Sequence, residues 1–444
     1  MNMPHSKCLV AWIGDDFTGS AASLEVMAFA GIPSVLFLNV PSKSQMDLFP
    51  EARAIGVATT ARSQSTDWMH EHLPKYFGFL RELSPVISHY KVCSTLDSSP
   101  EIGSIGCALD IAKSIFNSSW IPVLIAAPKM RRYQAFGHLF AASGTEIHRL
   151  DRHPTMMNHP ITPMRESDVA KHLMLQSTQA IYNLSLEDLS AQSENFTPSP
   201  MVDRGQVITL DAMTDQHMAC LGKLIWERGQ NGLFAVGSQG IQYALVEYWR
   251  EKGLIEKQDK CAGAGPVEQV ICISGSVSPQ TSEQINWALK HGFRGLSVDV
   301  KSILQTPEQT TEDIIINALD LLASGQSLVI YTADGRKGFE TKLSAAESSQ
   351  IGQTLGQILK QLLQRTDIRR AIISGGDTSG HAAQQLNLFA LQAASPTVPG
   401  APLLKAFSAD PELDGLELAL KGGQMGTVDY FDWIKRGGGI TKRG

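Results

Sequence analysis

Leu9-Val10-Ala11-Trp12-Ile13-Gly14-Asp15-Asp16-Phe17-Thr18-Gly19-Ser20 passes directly from an apolar run, through a glycine and an acidic pair, into a helix-like stretch. A strand, a tight turn and a helix in immediate succession open an α/β unit. Leu9 to Ile13 reads as a buried strand, and Ala21 to Ala30 as a helix with Leu24, Val26, Met27 and Phe29 near helical spacing, ended by Gly31. Further out, Ser34 to Leu38 and Ala54 to Ala58 read as strands, so the first sixty residues alternate as an open parallel sheet does.

The alternation continues with a helix over Thr66 to Leu83, a strand over Val86 to Lys91, a helix over Ile102 to Phe116 and a strand over Pro122 to Ala126. Between Pro128 and Pro163 it breaks down in a stretch holding His138, His148, His153 and His159, which reads as a functional insertion or lid. Regular elements resume at Val169 to Gln176, Val207 to Leu210, Gln216 to Glu227 and Leu233 to Val236. Around Glu256 to Pro266 the composition turns to Ala and Gly, which marks a domain boundary.

A second α/β pattern follows. Strands are expected at Val270 to Ile273, Gly295 to Val300, Ser327 to Thr332 and Ala371 to Ser374, with helices at Glu283 to Lys290, Thr311 to Ala323 and Glu347 to Gln364. Ser278 as N-cap before Pro279 is a helix start. Its counterpart to the opening turn is Ile373-Ser374-Gly375-Gly376-Asp377-Thr378-Ser379-Gly380, where glycines replace the acidic pair. The expected fold is therefore two α/β domains with mainly parallel sheets, residues 1–255 and 266–444, with a ligand cleft between them.

Composition narrows the function. Of 444 residues, 43% are hydrophobic and 18% charged, which is globular. The net charge of -6 argues against nucleic acid and anionic membrane as partners, leaving small molecules. Cys8, Cys93, Cys107, Cys220, Cys261 and Cys272 form no C-x-x-C spacing and read as reduced. No segment approaches the length of an apolar membrane span, and a cytoplasmic protein is expected.

Several loops that follow strands carry chemistry. Glycines after a strand let a backbone approach phosphate, and the next helix offers free N–H groups, so Gly375, Gly376, Asp377, Thr378 and Ser379 are nucleotide candidates. Ser274 and Ser276 end another strand of that domain, and Lys421-Gly422-Gly423-Gln424-Met425-Gly426 adds a third small-residue loop. In the first domain a carboxylate of Asp15 or Asp16 can accept a substrate hydroxyl's proton, one member of the pair serving as helix cap. Arg62 in Thr59-Thr60-Ala61-Arg62-Ser63 can grip a carboxylate bidentately. Lys91-Val92-Cys93-Ser94-Thr95-Leu96-Asp97-Ser98 puts a cation, hydroxyls and an acid at one strand end, suited to an anionic polyol. Plain turn chemistry uses the same Ser and Asp residues.

Taken in order, Asp15-Asp16-Phe17-Thr18-Gly19, Lys91 to Ser98, His159-Pro160-Ile161-Thr162-Pro163-Met164 and Gly375 to Gly380 resemble the four-carbon acid sugar kinase family over nearly the whole chain. The resemblance implies an N-terminal sugar-acid-binding domain, a C-terminal nucleotide-binding domain, and phosphoryl transfer from ATP with Mg²⁺ to the terminal hydroxyl of a tetronate or 3-oxo-tetronate. It implies substrate contacts from Asp16 or Asp15, Arg62, Lys91, Ser94, Thr95 and Asp97, and ATP contacts from Ser274, Ser276, the Gly375 to Ser379 loop, Gly422 and Gly423. In Pro128-Lys129-Met130-Arg131-Arg132-Tyr133 the family's glycine-arginine pair is replaced, so Arg132 keeps the arginine's role and Arg131 stands for the glycine. Tyr133 to His138 and Leu150 to Pro154 resemble a subgroup for other acid sugars, including branched ones such as 3-oxo-isoapionate. Metal ligands are not named by this reading, and a homodimer is compatible with it. Two competitors are a sugar-acid sensor without chemistry and an NAD-dependent oxidoreductase, the latter lacking a G-x-G-x-x-G after any strand.

Overall fold

The computed structural model describes residues 8–118, 120–159, 161–190, 206–256, 262–276, 278–332 and 344–439, the side chains of 190, 345 and 376–379 excepted. The chain forms two compact units. One is Met1–Ser34 with Leu48–Gln258, the other Val35–Asp47 with Asp259–Gly444.

In the first unit a parallel sheet runs in the order Ala54–Ala58, Val10–Gly14, Ile87–Lys91, Leu233–Gly237, Ile121–Leu124, Val207–Leu210 and Ile181–Leu184. Val10–Gly14, Ala54–Ala58 and Leu233–Gly237 are buried at every residue, which is why they read as unbroken apolar runs rather than alternations, and Ile87–Lys91 is equally buried although it carries Ser88, His89 and Lys91. Helix Thr66–Leu83 shows how the flanks cover them. Met69, Leu73, Phe77 and Leu80 recur on one buried face, Ser65 caps the start through Trp68 N–H, and Ser84 in the left-handed region ends it. Val10–Gly14 lies between a strand that follows it and one that follows later, on opposite sides. The reversal of strand order leaves a crevice at its carboxyl end, where open α/β sheets take ligands.

The second unit has parallel strands in the order Arg294–Ser297, Leu328–Tyr331, Ile271–Ser274, Arg370–Ser374 and Glu417–Lys421. Antiparallel strands Leu403–Ser408 and Leu388–Ser395 extend it. Its switch point lies at Ile271–Ser274, between Leu328–Tyr331 and Arg370–Ser374. Cys272, Ile285, Val329, Ile372, Leu403, Tyr430 and Ile434 fill the core beneath. Arg370, 1% exposed, donates to Glu417 Oε2 at 2.7 Å and to the carbonyls of Gly265, Ile434 and Lys435, fastening helix Tyr430–Lys435 to the sheet.

Ser34–Phe37 forms the strand expected there, and its Leu36 and Phe37 pair antiparallel with Leu391 and Ala390. Two expectations change. The expected strand Gly295 to Val300 ends at Ser297, because Asp299 caps a helix over Val300–Gln305. The stretch after Pro128 contains an antiparallel sheet of Arg132–Ala135, His138–Ser143 and Glu146–Arg149. Phe136 (φ 50°) and Gly137 (φ 80°) form its two-residue hairpin turn. Four-residue strands are too short to show a period, and a phenylalanine in a left-handed turn position hides the signal.

Candidate active site

In the first unit, strand ends converge chemically. Asp15 and Asp16 follow Val10–Gly14, Arg62 follows Ala54–Ala58 in the short turn Ala61–Ser63, and Lys91 closes Ile87–Lys91. Register places Gly14 beside both Ala58 and Lys91, so the three loops leave the sheet at one level. Asp16 is the N-cap of helix Phe17–Ala28 and accepts from Gly19 N–H at 2.8 Å. Its other oxygen takes Arg62 Nη1 at 2.7 Å. Asp15, 2% exposed, receives Arg62 Nη2 at 2.7 Å and Nε at 3.2 Å, a bidentate pair. Lys91, 1% exposed, donates to Val92 O at 2.7 Å, the one acceptor it meets among the described residues. A Cβ on Gly19 would stand 2.4 Å from Asp16 Oδ1 and 2.6 Å from Lys91 Nζ, so only glycine lets the helix start this close to the charges.

Burial pushes the Asp15 carboxyl up to about 6, opposed by Arg62 and reinforced by Asp16. Burial penalises the Arg62 guanidinium as well, but Asp15 and Asp16 outweigh it and raise it above its ordinary value. Lys91 is lowered by burial, with the two aspartates opposing.

The loop after Lys91 turns through Leu96 (φ 58°), with Thr95 Oγ1 donating to Asp97 Oδ1 at 2.9 Å and contacting Cys93 Sγ at 3.0 Å. Ser94 is half-buried in the same turn. Asp97 acts electrostatically on both Arg62 and Arg132, which places Arg132 with this cluster. Arg132 donates through Nη1 to the carbonyls of Met130, Arg131 and Ala142, while its buried Nε has no partner among the described residues. The hairpin bearing it is pinned by buried Asp211, which accepts from Phe136 and Gly137 N–H and from Gln134 Nε2. Arg131 is left-handed (φ 56°), a conformation that suits the glycine it stands for. His159 serves its own turn: Nδ1 meets Thr162 N at 3.0 Å and Oγ1 at 2.9 Å.

In the second unit, Ser274, Ser374 and Lys421 share one register row at the carboxyl ends of adjacent parallel strands. Ser276 N–H donates to Ser274 Oγ at 3.4 Å and Ser278 N–H to Ser276 Oγ at 3.2 Å. Gly375 (φ 139°) precedes helix Gly376–Gln385, and its N–H donates to Lys421 O at 2.9 Å. A Cβ on Gly423 would stand 2.8 Å from Ser276 Oγ, so the two loops touch. Buried Ser374 Oγ and Ser278 Oγ have no partner among the described residues. The side chains of Asp377, Thr378 and Ser379 lie outside the described residues, so their roles stay expectations. Lys421, fully buried, was read in sequence as part of a small-residue loop and not as a site residue. The available signal was a lysine closing the apolar run Leu418-Ala419-Leu420 directly before two glycines.

One α/β unit thus gathers acids and cations at its switch point and the other gathers hydroxyls and glycines, the donor sets that an anionic polyol and a phosphate-bearing ligand call for in a two-substrate protein. Residues 10–245 match the sugar-binding N-terminal domain family and residues 271–431 the nucleotide-binding C-terminal domain family. The chain is 38% identical to the 3-oxo-isoapionate kinase of Paraburkholderia graminis, covering 97% of this chain and 94% of that one. It is 27% identical to the 3-oxo-tetronate kinase of Pseudomonas savastanoi pv. phaseolicola, covering 97% of each. Solved structures from Salmonella typhimurium LT2 (TM-score 0.75, 23% identity, 97% and 99% coverage) and Haemophilus influenzae (0.66, 21%, 96% and 99%) share the fold. The chain belongs to the four-carbon acid sugar kinase family.

Proposed function

We propose that this protein transfers the γ-phosphoryl group of ATP to the terminal hydroxyl of a four-carbon acid sugar, with a branched 3-oxo acid of the isoapionate type as its preferred substrate. The reaction class is that of its family, and the branched preference rests on the higher identity to the isoapionate kinase than to the tetronate kinase. The observation that carries the site assignment is the juxtaposition of Asp15, Asp16 and Lys91 at one sheet switch point, Lys91 retaining donors that no described residue uses. A carboxylate to orient a hydroxyl beside a cation to hold an acid is what an anionic polyol requires.

In this reading Arg62 holds both aspartates in place, since all three of its nitrogens are given to them. Lys91 and the unpartnered Arg132 Nε bind the substrate's carboxylate and oxygens, with Ser94, Thr95 and Asp97 contacting its hydroxyls. Asp16, the more exposed of the pair, takes the hydroxyl proton as the oxygen attacks the γ-phosphorus and the bond to the β–γ bridging oxygen breaks, releasing ADP. Ser274, Ser276, Gly375, Gly376, Gly422 and Gly423 receive the nucleotide, together with Asp377, Thr378 and Ser379. The donor set fits polyphosphate: the Ser374 and Ser278 hydroxyls have no partner among the described residues, and the N-terminus of helix Gly376–Gln385 follows one of these strand ends. Mg²⁺ would neutralise phosphate charge here, held largely by the phosphates and by water, and no described residue is assigned to it. The test is ADP release with ATP, Mg²⁺ and a panel of tetronates, 3-oxo-tetronates and branched 3-oxo acids. ADP should appear with acid sugars and most efficiently with the branched acid; no substrate-dependent ADP across the panel would overturn the proposal.

A further inference from the structure

Lys421 ends strand Glu417–Lys421 with its side chain wholly buried, and among the described residues no carboxylate pairs with it. An isolated buried ammonium is costly unless its hydrogens are satisfied and an anion comes near. The hydrogens are satisfied. Nζ donates to Thr281 Oγ1 at 3.0 Å, Gly422 O at 3.0 Å and Gly423 O at 3.5 Å, and Thr281 Oγ1 itself donates to Gly423 O at 2.7 Å. The anion is what the protein alone does not supply.

These bonds set the loop's polarity. Helix Pro279–Lys290 continues the pattern, Gln284 Nε2 holding the carbonyls of Met425 and Thr427 at 2.9 Å each and Gln280 Nε2 that of Gly426 at 2.9 Å. In a trans peptide the N–H points opposite to the C=O. With the carbonyls of Gly422 and Gly423 turned onto the ammonium, the N–H groups of Gly423 and Gln424 face away from it, and neither donates to any described residue. Consecutive N–H groups presented together make an anion-binding nest. Unpartnered Ser278 Oγ stands beside Gly423, and unpartnered Ser374 is Lys421's neighbour in register. The other end of the loop borders an open recess with Glu283, Trp287 and Asp429, whose two carboxylates disfavour a phosphate there.

We propose that Lys421 is the positioning residue of the nucleotide loop: by fixing the carbonyls of Gly422 and Gly423 inward it aims the N–H groups of Gly423 and Gln424 at a phosphate of ATP and supplies that phosphate's buried countercharge. This rests on the reading of the second unit as the ATP site. Burial lowers Lys421 to about 7, consistent with a charge that awaits a partner.

The experiment compares wild type, K421M and T281V by steady-state kinetics and by the rise in melting temperature on adding ADP. K421M should raise the KM for ATP by about tenfold or more and abolish most of the ADP-induced rise, while the KM for the acid sugar moves less than about twofold. T281V, which keeps the charge and removes one tether, should raise the KM for ATP by about threefold. An unchanged KM for ATP and an undiminished ADP response in K421M would overturn the role of Lys421 and leave the kinase reading standing. If K421M does not fold, T281V decides on the same two readouts. A wild-type protein that neither turns over nor responds to ADP would overturn the kinase reading and this inference with it.

Discussion

The two crevices solve opposite electrostatic problems. In the first unit Asp15 and Asp16 face Arg62 and Lys91, two negative charges against two positive, and the Arg62 contacts are direct. In the second, Lys421 is buried without a carboxylate, beside hydroxyls that have no partner among the described residues. A balanced cluster stabilises the apoprotein and can bind a substrate only by exchange or addition at its edge. An unbalanced one costs the apoprotein stability and returns it when an anion arrives.

The largest expected break is catalytic. Asp16→Asn removes the proposed proton acceptor but leaves an amide that still caps helix Phe17–Ala28, so turnover should fall by about 10²–10⁴-fold with the ADP-induced thermal shift intact. A near-normal rate would remove Asp16 from that role. Next comes the contrast between cations. Arg62→Met leaves Asp15 buried without its bidentate partner and should cost about 3–5 kcal/mol, read as a lowered melting temperature of the ligand-free protein. K421M, in the unbalanced crevice, should lower that temperature far less. Equal losses in the two variants would dissolve the distinction drawn above.

Titration separates the crevices further, with opposite signs. Asp15 is raised from 3.8 to about 6, so between those values the native state binds the extra proton. Its contribution to stability is present below about pH 4 and is lost as pH rises through 6. Lys421 is lowered from 10.5 to about 7, so above 7 it is the unfolded chain that holds more protons, and stability should rise from pH 7 toward 10. Nucleotide binding should weaken over that same window, because the ammonium is being lost. Melting curves of wild type and K421M across pH 6 to 10 check this: the alkaline rise should be absent from the variant.

What was legible in the sequence follows from burial. Val10–Gly14, Ala54–Ala58 and Arg370–Ser374 are covered on both faces, so their side chains leave apolar runs bounded by glycine and polar residues. The loops at their carboxyl ends could be picked out because charge and glycine appear there abruptly. The pairing of Arg62 with Asp15, 47 residues apart, could not, since it depends on the register that sets Gly14 against Ala58. Lys421 was hidden for another reason: a lysine at a strand end reads as solvent-facing unless the helix lying over it is known. Arg132 was flagged by resemblance, but the hairpin that holds it was not, because Asp211 pins that turn from 75 residues away.

The smallest expected effect concerns that hairpin. Arg131 sits at φ 56°, where an L residue is disfavoured by about 1–2 kcal/mol relative to glycine. Its guanidinium compensates by donating to the carbonyls of Gly144 and Thr145 in the next turn, bonds that are exposed and worth about 0.5–1.5 kcal/mol each. Arg131→Gly relieves the backbone, drops the strap and loosens the unfolded chain, three terms of mixed sign and similar size. The melting temperature should therefore stay within about 3 °C of wild type. Arg132 keeps its own bonds to Met130 and Ala142 in this variant, so the KM for the acid sugar should change less than about threefold. A larger rise would show that the strap between the two turns, rather than the carbonyls around Arg132, sets the guanidinium's position in the balanced crevice.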